Sequence, residues 1–400
     1  MISSDLRSQF PILDTQVHGR QLVYLDNAAT TQKPLRVINA LDSYYRTLNS
    51  NIHRGAHYLA TEATERYEVV RRQVQAFIHA RHHHEIVFTR GTTESINLVA
   101  SSFSRRFFTG SDEVIVSGME HHSNIVPWQL AGASLRPIPF SDEGILDLDA
   151  FENLFSPKTR IVAVNHVSNT LGTVNPVADI IRIAHNHGVP VLVDGAQAIS
   201  HLAVDVQALG CDFYCFSGHK MYGPMGVGVM YGREELLNEM PPYQGGGEMI
   251  ENVTFENTTY NALPFKFEAG TPSVGDVIGL GEAIAFMQEV GVGNIASHED
   301  HLLRYATSLL SQLPGIRFFG TAPKKTSVIS FLLGDAHPYD VGTLIDQLGV
   351  AVRTGHHCTQ PIMDRYGIPG TVRASFAVYN NTEEVDMLVD ALKRIMPMLS

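Results

Sequence analysis

The chain contains 400 residues, of which 44% are hydrophobic and 18% are charged, as is ordinary for a globular protein. Because single hydrophobic cores stop growing near about 250–300 residues, this length predicts two domains. The net charge of −12, with no block of lysines and arginines, argues against binding to nucleic acid or to an anionic membrane surface.

Cysteine usage and the N-terminus bear on the compartment. The three cysteines, Cys211, Cys215 and Cys358, form an odd and small set that gives no disulfide framework. The N-terminus lacks the basic and apolar regions of a signal peptide, and no apolar run reaches the roughly 18 residues of a membrane span. These features favour a cytoplasmic protein.

The first two-thirds of the chain alternates between predicted strands and helices. Three adjacent histidines, 82–84, are interpreted as a polar turn between a helix ending near Ala80 and the first of these strands. Strands are predicted at 85–89, 112–118, 160–167, 189–194 and 212–216, and helices at 94–107 and 177–188. Valine- and isoleucine-rich strands that alternate with helices predict a mainly parallel sheet covered on both faces.

The last 110 or so residues have a different pattern. A long amphipathic helix is predicted at 294–313, with strands at 326–333, 350–355 and 371–380. We therefore predict a large α/β domain at 1–285, and a small α+β domain at 286–400 that contains the Cys358 loop. The segment 1–20 is expected to pack on the small domain.

Polar residues follow each predicted strand of the large domain. Ligands of open α/β sheets bind beyond the carboxyl ends of the strands, so these residues are expected to share one site. They are Thr92 and Thr93 after Gly91, His121 and His122, Asn169, Asp194, and the "SGHK" run that ends at Lys220. Taken separately, each feature has a structural interpretation: the "GTT" turn and Asp194 would be helix caps, and Lys220 would be a solvated lysine in a turn.

Together these residues match the needs of pyridoxal phosphate (PLP). A helix N-terminus with small hydroxyl residues binds a phosphate, and a histidine can stack on a planar ring. A buried carboxylate such as Asp194 keeps the pyridine nitrogen protonated. Lys220 can form a Schiff base with the aldehyde. Ser217 and His219 flank Lys220 and can reach the phosphate.

A second reactive site lies in "VAVRTGHHCTQP", residues 350–361. Cys358 follows a strand, and the nearby Arg353, His356 and His357 are expected to lower the pKa of its thiol. A zinc site is not predicted, because no spaced ligand set completes it. Cys211 and Cys215 are interpreted as packing residues. Arg373 is either a clamp for an α-carboxylate or a surface ion-pair partner.

These motifs resemble those of group II cysteine desulfurases of the SufS type. This family belongs to the class-V-aminotransferase-like, fold-type-I PLP enzymes. The resemblance covers nearly the whole chain, from "YLDNAATTQKP" through "RGTTESINLVA", "MEHHSNIVPW", "LVDGAQA", "FSGHKMYGPMGVGVMYG" and "FEAGTPS" to "RTGHHCTQP" and "RASFAVYN". It implies a homodimer with both active sites at the interface.

The resemblance also implies individual roles. Lys220 matches the lysine that holds the cofactor, Cys358 the sulfur-accepting nucleophile, Asp194 the pyridinium partner, and His121 the ring-stacking histidine. Gln197 matches the partner of the cofactor's phenolic oxygen. Thr92, Thr93, Ser217 and His219 match phosphate ligands, with Thr271 as a phosphate contact from the other subunit. Asn169, Arg353 and Arg373 match substrate contacts, and no metal is implied.

The implied reaction converts L-cysteine to L-alanine and leaves a persulfide on Cys358. A SufE-type or SufU-type carrier, docking beside residues 353–361, is expected to take the sulfur to iron–sulfur cluster assembly. Selenocysteine lyase activity is also expected of many members. Three other interpretations stay open: an aminotransferase or C–S β-lyase in which Cys358 is only structural, a binding scaffold that keeps the fold without the cofactor, and a lyase specific for selenocysteine.

Overall fold

The computed structural model describes residues 4–399. Its strands are β1 Gln16–Val17, β2 Arg20–Gln21, β3 Val23–Tyr24, β4 Ile86–Thr89, β5 Glu113–Ser117, β6 Ser134–Ile138, β7 Thr159–Asn165, β8 Val191–Asp194, β9 Phe213–Ser217, β10 Gly228–Gly232, β11 Ile250–Val253, β12 Thr258–Tyr260, β13 Ile316–Phe319, β14 Val328–Leu333, β15 Val350–Ala351, β16 Arg353–Gly355 and β17 Thr371–Ser375.

The α-helices of the same residues lie between these strands and beyond the last one. They are α1 Leu35–Thr47, α2 Tyr58–Phe77, α3 Thr92–Phe107, α4 Val126–Leu130, α5 Leu148–Glu152, α6 Val177–Asn186, α7 Val206–Leu209, α8 Glu234–Glu239, α9 Val274–Val290, α10 Val292–Leu310, α11 Pro338–Asp346, α12 Gln360–Tyr366 and α13 Thr382–Ile395. No helix within residues 4–399 is long and apolar enough to cross a membrane.

A seven-stranded sheet forms the centre of the large α/β part, in the order β4-β10-β9-β8-β7-β5-β6. Neighbouring strands from β9 to β6 are parallel, whereas β10 is antiparallel to both β9 and β4. Because β4 and β9 are both antiparallel to β10, which lies between them, β4 runs in the same direction as β9. The carboxyl ends of β4, β5, β7, β8 and β9 therefore meet at one edge of the sheet, as predicted.

Both faces of this sheet are covered, which explains the continuous apolar runs of its strands. In β5, Val114 and Val116 belong to one buried cluster, whereas Ile115 between them belongs to the cluster on the opposite face. In β9, Tyr214 and Cys215 alternate in the same way. Such alternation between two cores is expected of parallel sheets that lie between helical layers.

A second, four-stranded sheet, in the order β13-β14-β17-β16, supports the Cys358 loop. Its core contains residues of α10, α11 and α13 together with Val23 and Leu25 from the N-terminal region. The predicted fold class, a fold-type-I α/β architecture with a smaller C-terminal α+β part, is thus confirmed. The division at residue 285 stays a prediction. In the segment 1–20, Arg7 forms an ion pair with Glu384 of α13 at 2.9 Å.

Three sequence predictions need correction. The predicted strand 350–355 is two strands: β15 pairs in parallel with β3, and β16 pairs with β17 in the four-stranded sheet. The predicted strand 371–380 ends at Ser375, after which the chain turns to cap α13 with Asn381. The glycine-rich run after Lys220 contains β10, a central strand of the large sheet that was not predicted.

Candidate active site

One cavity of about 220 Å³ at the carboxyl edge of the large sheet collects nearly all the predicted site residues. The four-stranded sheet and the Cys358 loop form its other wall. The predicted residues that line it are Thr92, Thr93, His121, Asn169, Asp194, Gln197, Ser217, His219, Lys220, Arg353, Cys358 and Arg373. The structure therefore brings together residues that are up to 281 positions apart, from Thr92 to Arg373.

The turn from β4 into α3 forms one end of the cavity. The Thr92 amide donates to Ser217 Oγ at 2.7 Å, and the Thr92 hydroxyl lies 2.7 Å from the same oxygen. Gly91 has a φ of +154°, and a side chain at Gly228 of β10 would lie only 2.4 Å from the Gly91 Cα atom. Both glycines thus allow α3 to begin directly against the sheet, with its amides facing the cavity.

Two histidines line the cavity in their neutral forms. Burial, with help from nearby Lys220, lowers the pKa of His121 to about 3 and that of His219 to about 4. His121 Nδ1 lies 3.0 Å from Ser123 Oγ and accepts from the Ser123 amide at 3.1 Å, which fixes the orientation of the ring. His219 Nδ1 is buried and has no hydrogen-bond partner among residues 4–399.

Lys220 and Asp194 are two ionisable side chains that line the cavity. Lys220 lies in the turn after β9, and burial lowers the pKa of its amine to about 8, although Asp194 and Cys358 oppose the shift. Asp194 ends β8, is 5% exposed and accepts from the Ala196 amide at 2.9 Å. Burial raises the pKa of Asp194, and no cationic side chain within residues 4–399 lies within ion-pair distance of it.

Arg373 projects from β17 and is buried, so its interpretation as a surface ion pair is excluded. Its Nη1 donates to the Asn169 carbonyl at 2.8 Å, and its Nη2 lies 3.3 Å from Asp26 Oδ1. Its Nε is buried and has no hydrogen-bond partner in the described chain. Arg353 reaches the same Asp26 at 3.5 Å but is half exposed. A buried guanidinium with an unused N–H fits recognition of a carboxylate.

The Cys358 loop is held in a strained conformation by contacts from the large sheet. His357 and Cys358 both have positive φ values, +52° and +58°, which non-glycine residues rarely adopt. The Asn169 side chain donates to the His357 carbonyl at 2.8 Å, and the His122 amide donates to the Cys358 carbonyl at 2.8 Å. Cys358 remains partly exposed, whereas Cys211 and Cys215 are buried in the core.

Gln197 and Thr271 differ from the other predicted site residues in their surroundings. Gln197 lines the cavity, and its amide nitrogen donates to the Ala28 carbonyl at 2.7 Å. Thr271 does not line this cavity. It lies instead in a separate cavity of about 650 Å³ that Arg90 and Tyr243 also line. Thr271 therefore does not share a cavity with Lys220 within one chain.

The residues of the cavity fit PLP. The unpartnered His219 Nδ1, the Ser217 hydroxyl and the Thr92 amide can receive a phosphate. Asp194, a buried carboxylate without a cationic partner in the described chain, suits a protonated ring nitrogen. Lys220 has an amine whose lowered pKa suits covalent attachment.

Comparisons with known proteins place the chain in a family. The sequence model of the family "Aminotransferase class-V" matches residues 23–388. A cysteine desulfurase of Klebsiella pneumoniae (strain 342) is 52% identical over 399 residues, covering 98% of each chain. The chain belongs to the cysteine desulfurases.

Solved structures agree with this assignment to the cysteine desulfurases. The cysteine desulfurase CsdA from Escherichia coli has a TM-score of 0.93 and 40% identity, with 100% of both chains covered. The apo cysteine desulfurase from Thermococcus onnurineus NA1 has a TM-score of 0.94 and 39% identity, covering 100% of this chain and 99% of that one. The protein is thus a PLP-dependent enzyme of the cysteine desulfurase family, and the predicted cofactor is confirmed.

Two residues of the site were missed at the sequence level. Asp26 joins Arg353 and Arg373, and Ser123 joins His121 to Thr93, whose hydroxyl lies 2.7 Å from Ser123 Oγ. A signal for Asp26 exists in the sequence, since an acidic residue directly follows the apolar run Val23–Leu25. Ser123 has no comparable signal.

Proposed function

We propose that this protein is a SufS-type cysteine desulfurase that converts L-cysteine to L-alanine through a persulfide on Cys358. The observation that carries this proposal is that Lys220, Asp194 and Cys358 line one cavity. An aminotransferase or β-lyase needs the first two residues but has no use for an accessible thiol there. The partial exposure of Cys358, in contrast to the buried Cys211 and Cys215, further supports a reactive role.

The binding roles are those that the family resemblance implies, and the cavity lining supports them. Thr92, Thr93, Ser217 and His219 would bind the phosphate of PLP, His121 would stack on its ring, Gln197 would contact its phenolic oxygen, and Asp194 would pair with its ring nitrogen. Arg373 uses its free Nε–H to hold the substrate carboxylate, with Asn169 and Arg353 alongside. When bound, PLP supplies an electron sink for the bonds to the substrate Cα and Cβ.

The chemical steps of the protein use two side chains. Lys220, as the free amine, removes the proton from the substrate Cα, which its lowered pKa favours. The Cys358 thiolate attacks the substrate sulfur; a sulfur–sulfur bond forms, and the substrate Cβ–S bond breaks. The carbon skeleton takes up protons and leaves as alanine, so the sulfur stays on Cys358. L-selenocysteine, with selenium in the same position, is expected to react in the same site.

The sulfur must then be handed on from Cys358, which lines the cavity and is partly exposed. We propose that a SufE-type or SufU-type carrier docks beside residues 353–361 and accepts it for iron–sulfur cluster assembly. Arg365 of the neighbouring helix α12 is 46% exposed and forms an ion pair with the exposed Asp142 at 2.8 Å, so this face presents both charges. If wild-type protein and Arg365→Glu retain the carrier equally in a pull-down, docking at this face is wrong.

A homodimer is part of the same proposal. Thr271 lies in its own cavity beside Arg90, apart from the Lys220 cavity of its chain. In a dimer, Thr271 would reach the phosphate of the partner's site. Sedimentation equilibrium of the holoenzyme tests the dimer, and a monomer that retains full PLP affinity would contradict the role of Thr271.

A single-turnover reaction tests the proposed function. The PLP-loaded protein is mixed with L-cysteine without reductant, and alanine and protein-bound persulfide are quantified. We expect about one of each per subunit, both lost in Cys358→Ala while the bound-cofactor absorbance is kept. Cys215→Ala, a buried cysteine of the same strand as Ser217, is the matched control and should react as wild type. Pyruvate, or alanine that survives Cys358→Ala, would favour a β-lyase or aminotransferase instead.

A further inference from the structure

Lys33 is a lysine of the N-terminal region for which the proposed reaction has no use. It does not line the Lys220 cavity, but it lies directly behind the turn that carries His219 and Lys220. Its Nζ donates to the His219 carbonyl at 3.0 Å, to the Thr31 carbonyl, and to Thr30 Oγ1 at 3.4 Å. Three oxygen acceptors match the three N–H donors of a charged ammonium group.

This ammonium group has no anionic partner in the described chain. No carboxylate among residues 4–399 lies within 4.0 Å of Lys33 Nζ, and all three of its acceptors are neutral. Burial accordingly lowers the pKa of Lys33 to about 7. Lys33 is half-buried, and a cation largely withdrawn from water without a counter-charge is costly, so it is expected to be retained only where an anion compensates it.

The charge of Lys33 reaches the phosphate end of the site. Burial is the main cause of the lowered pKa of His219, and the charges of Lys220 and Lys33 lower it further. His219 has a buried Nδ1 without a partner in the described chain and is a proposed phosphate ligand. The opposite end of the same turn carries Ser217, whose hydroxyl meets the Thr92 amide at 2.7 Å. The proposed phosphate ligands Ser217 and His219 thus belong to the same turn that Lys33 contacts through the His219 carbonyl.

We propose that Lys33 is the counter-cation of the cofactor phosphate, acting through the Ser217–Lys220 turn rather than by direct contact. The phosphate dianion supplies the negative charge that the protein does not place beside Lys33. The inference rests on the proposed binding of the PLP phosphate at this turn. It makes Lys33 a positioning and electrostatic residue, and not a catalytic one.

Ligand affinity with and without the phosphate tests this role. Apoproteins of wild type and Lys33→Met are titrated with PLP and with pyridoxal, which lacks the phosphate. Lys33→Met should weaken PLP binding about tenfold or more, but pyridoxal binding less than about twofold. Lys33→Arg keeps the charge and should bind PLP within about threefold of wild type. Thermal melts of each apoprotein establish that the variants are folded.

Lys325→Met is the matched control. Lys325 is also a half-buried lysine whose pKa is lowered by burial to about 8, and it donates to the Gly320 carbonyl. Because Lys325 contacts Gly320 and neither lines the Lys220 cavity nor contacts the Ser217–Lys220 turn, its loss should leave both affinities unchanged. A general effect of removing a half-buried lysine would instead appear in both variants.

The pH dependence provides a second readout. Because the phosphate favours the charged form of Lys33, the preference of wild type for PLP over pyridoxal should fall as the pH rises from 7 to 9. This fall should be absent in Lys33→Met. The titration of Lys220 affects both ligands alike and cancels in the ratio.

Two results would overturn the inference. Equal weakening of PLP and pyridoxal in Lys33→Met would mean that Lys33 only holds the turn in place, and unchanged PLP affinity would mean that it has neither role. These titrations contain no amino-acid substrate, so their outcome does not depend on whether the protein carries out the desulfurase reaction. A wild type that does not prefer PLP to pyridoxal would instead contradict the proposed phosphate site itself.

Discussion

Replacement of Arg373 should remove substrate binding far more than replacement of Arg353, although both contact Asp26. The Arg373 side chain is 3% exposed and keeps its Nε–H free, whereas the Arg353 side chain is 53% exposed. A charge-assisted hydrogen bond contributes about 1.5–3 kcal/mol, and a two-pronged contact with a carboxylate about twice that. An exposed ion pair contributes only about 0–1 kcal/mol.

We therefore expect Arg373→Met to lower kcat/KM for L-cysteine at least about 100-fold, which corresponds to about 3 kcal/mol. Arg353→Met should lower it less than about tenfold. The assay is steady-state alanine formation by the PLP-loaded enzyme with a reductant present. Arg373→Met leaves the Asp26 carboxylate with only the weaker partner Arg353. The double variant Arg373→Met/Asp26→Asn removes this uncompensated carboxylate, so it separates a loss of substrate binding from a loss of protein stability.

The relative losses of kcat/KM in Arg373→Met and Arg353→Met test the role of Arg373 as a carboxylate clamp. Equal losses in both variants, or a loss below about threefold in Arg373→Met, would refute the carboxylate clamp. Recovery of wild-type kcat/KM in the double variant would also refute it, since the defect would then lie in the uncompensated Asp26. An unchanged defect in a double variant with a normal melting temperature supports the reasoning.

Further predictions concern the lysine, the cysteine loop and the phosphate turn. Because burial lowers the pKa of Lys220 to about 8 and only the free amine reacts, covalent uptake of PLP by the apoprotein should speed up from pH 6 to about 8 and level off above, as followed by absorbance. Uptake independent of pH in this window would be inconsistent with that pKa. Asn169→Ala should leave the buried His357 carbonyl without its donor and lower the free energy of unfolding by about 1–3 kcal/mol in urea titrations; no loss would mean that another donor holds the loop. Ser217→Ala should weaken PLP binding more than pyridoxal binding, by about 1 kcal/mol, and equal weakening would exclude a phosphate contact. Iodoacetamide should modify Cys358 alone in the folded protein, as mass spectrometry can show, because Cys211 and Cys215 are buried.

The sequence predicted the residues at the ends of the parallel strands well, because that arrangement follows from chain direction alone. Thr92, Asn169, Asp194 and Lys220 follow β4, β7, β8 and β9, and such strands deliver their carboxyl ends to one edge. Apolar runs typical of strands buried on both faces also predicted the mainly parallel sheet.

The pairing partners of several strands could not be predicted in the same way. The strand β10 pairs antiparallel inside the sheet, although its glycine-rich sequence is typical of a loop. The run 350–355 splits because β15 pairs with β3, more than 300 residues earlier in the chain. The Asp26 contacts depend on the same long-range pairing, which local patterns do not encode.

The central claim is that Cys358 accepts sulfur from cysteine. After one turnover with L-cysteine under non-reducing conditions, proteolysis and mass spectrometry should find the Cys358 peptide heavier by one sulfur atom, in proportion to the alanine formed. The peptides with Cys211 and Cys215 should keep their masses, since both thiols are buried. Alanine formed while the Cys358 peptide keeps its mass, or sulfur found on either buried cysteine instead, would contradict the account.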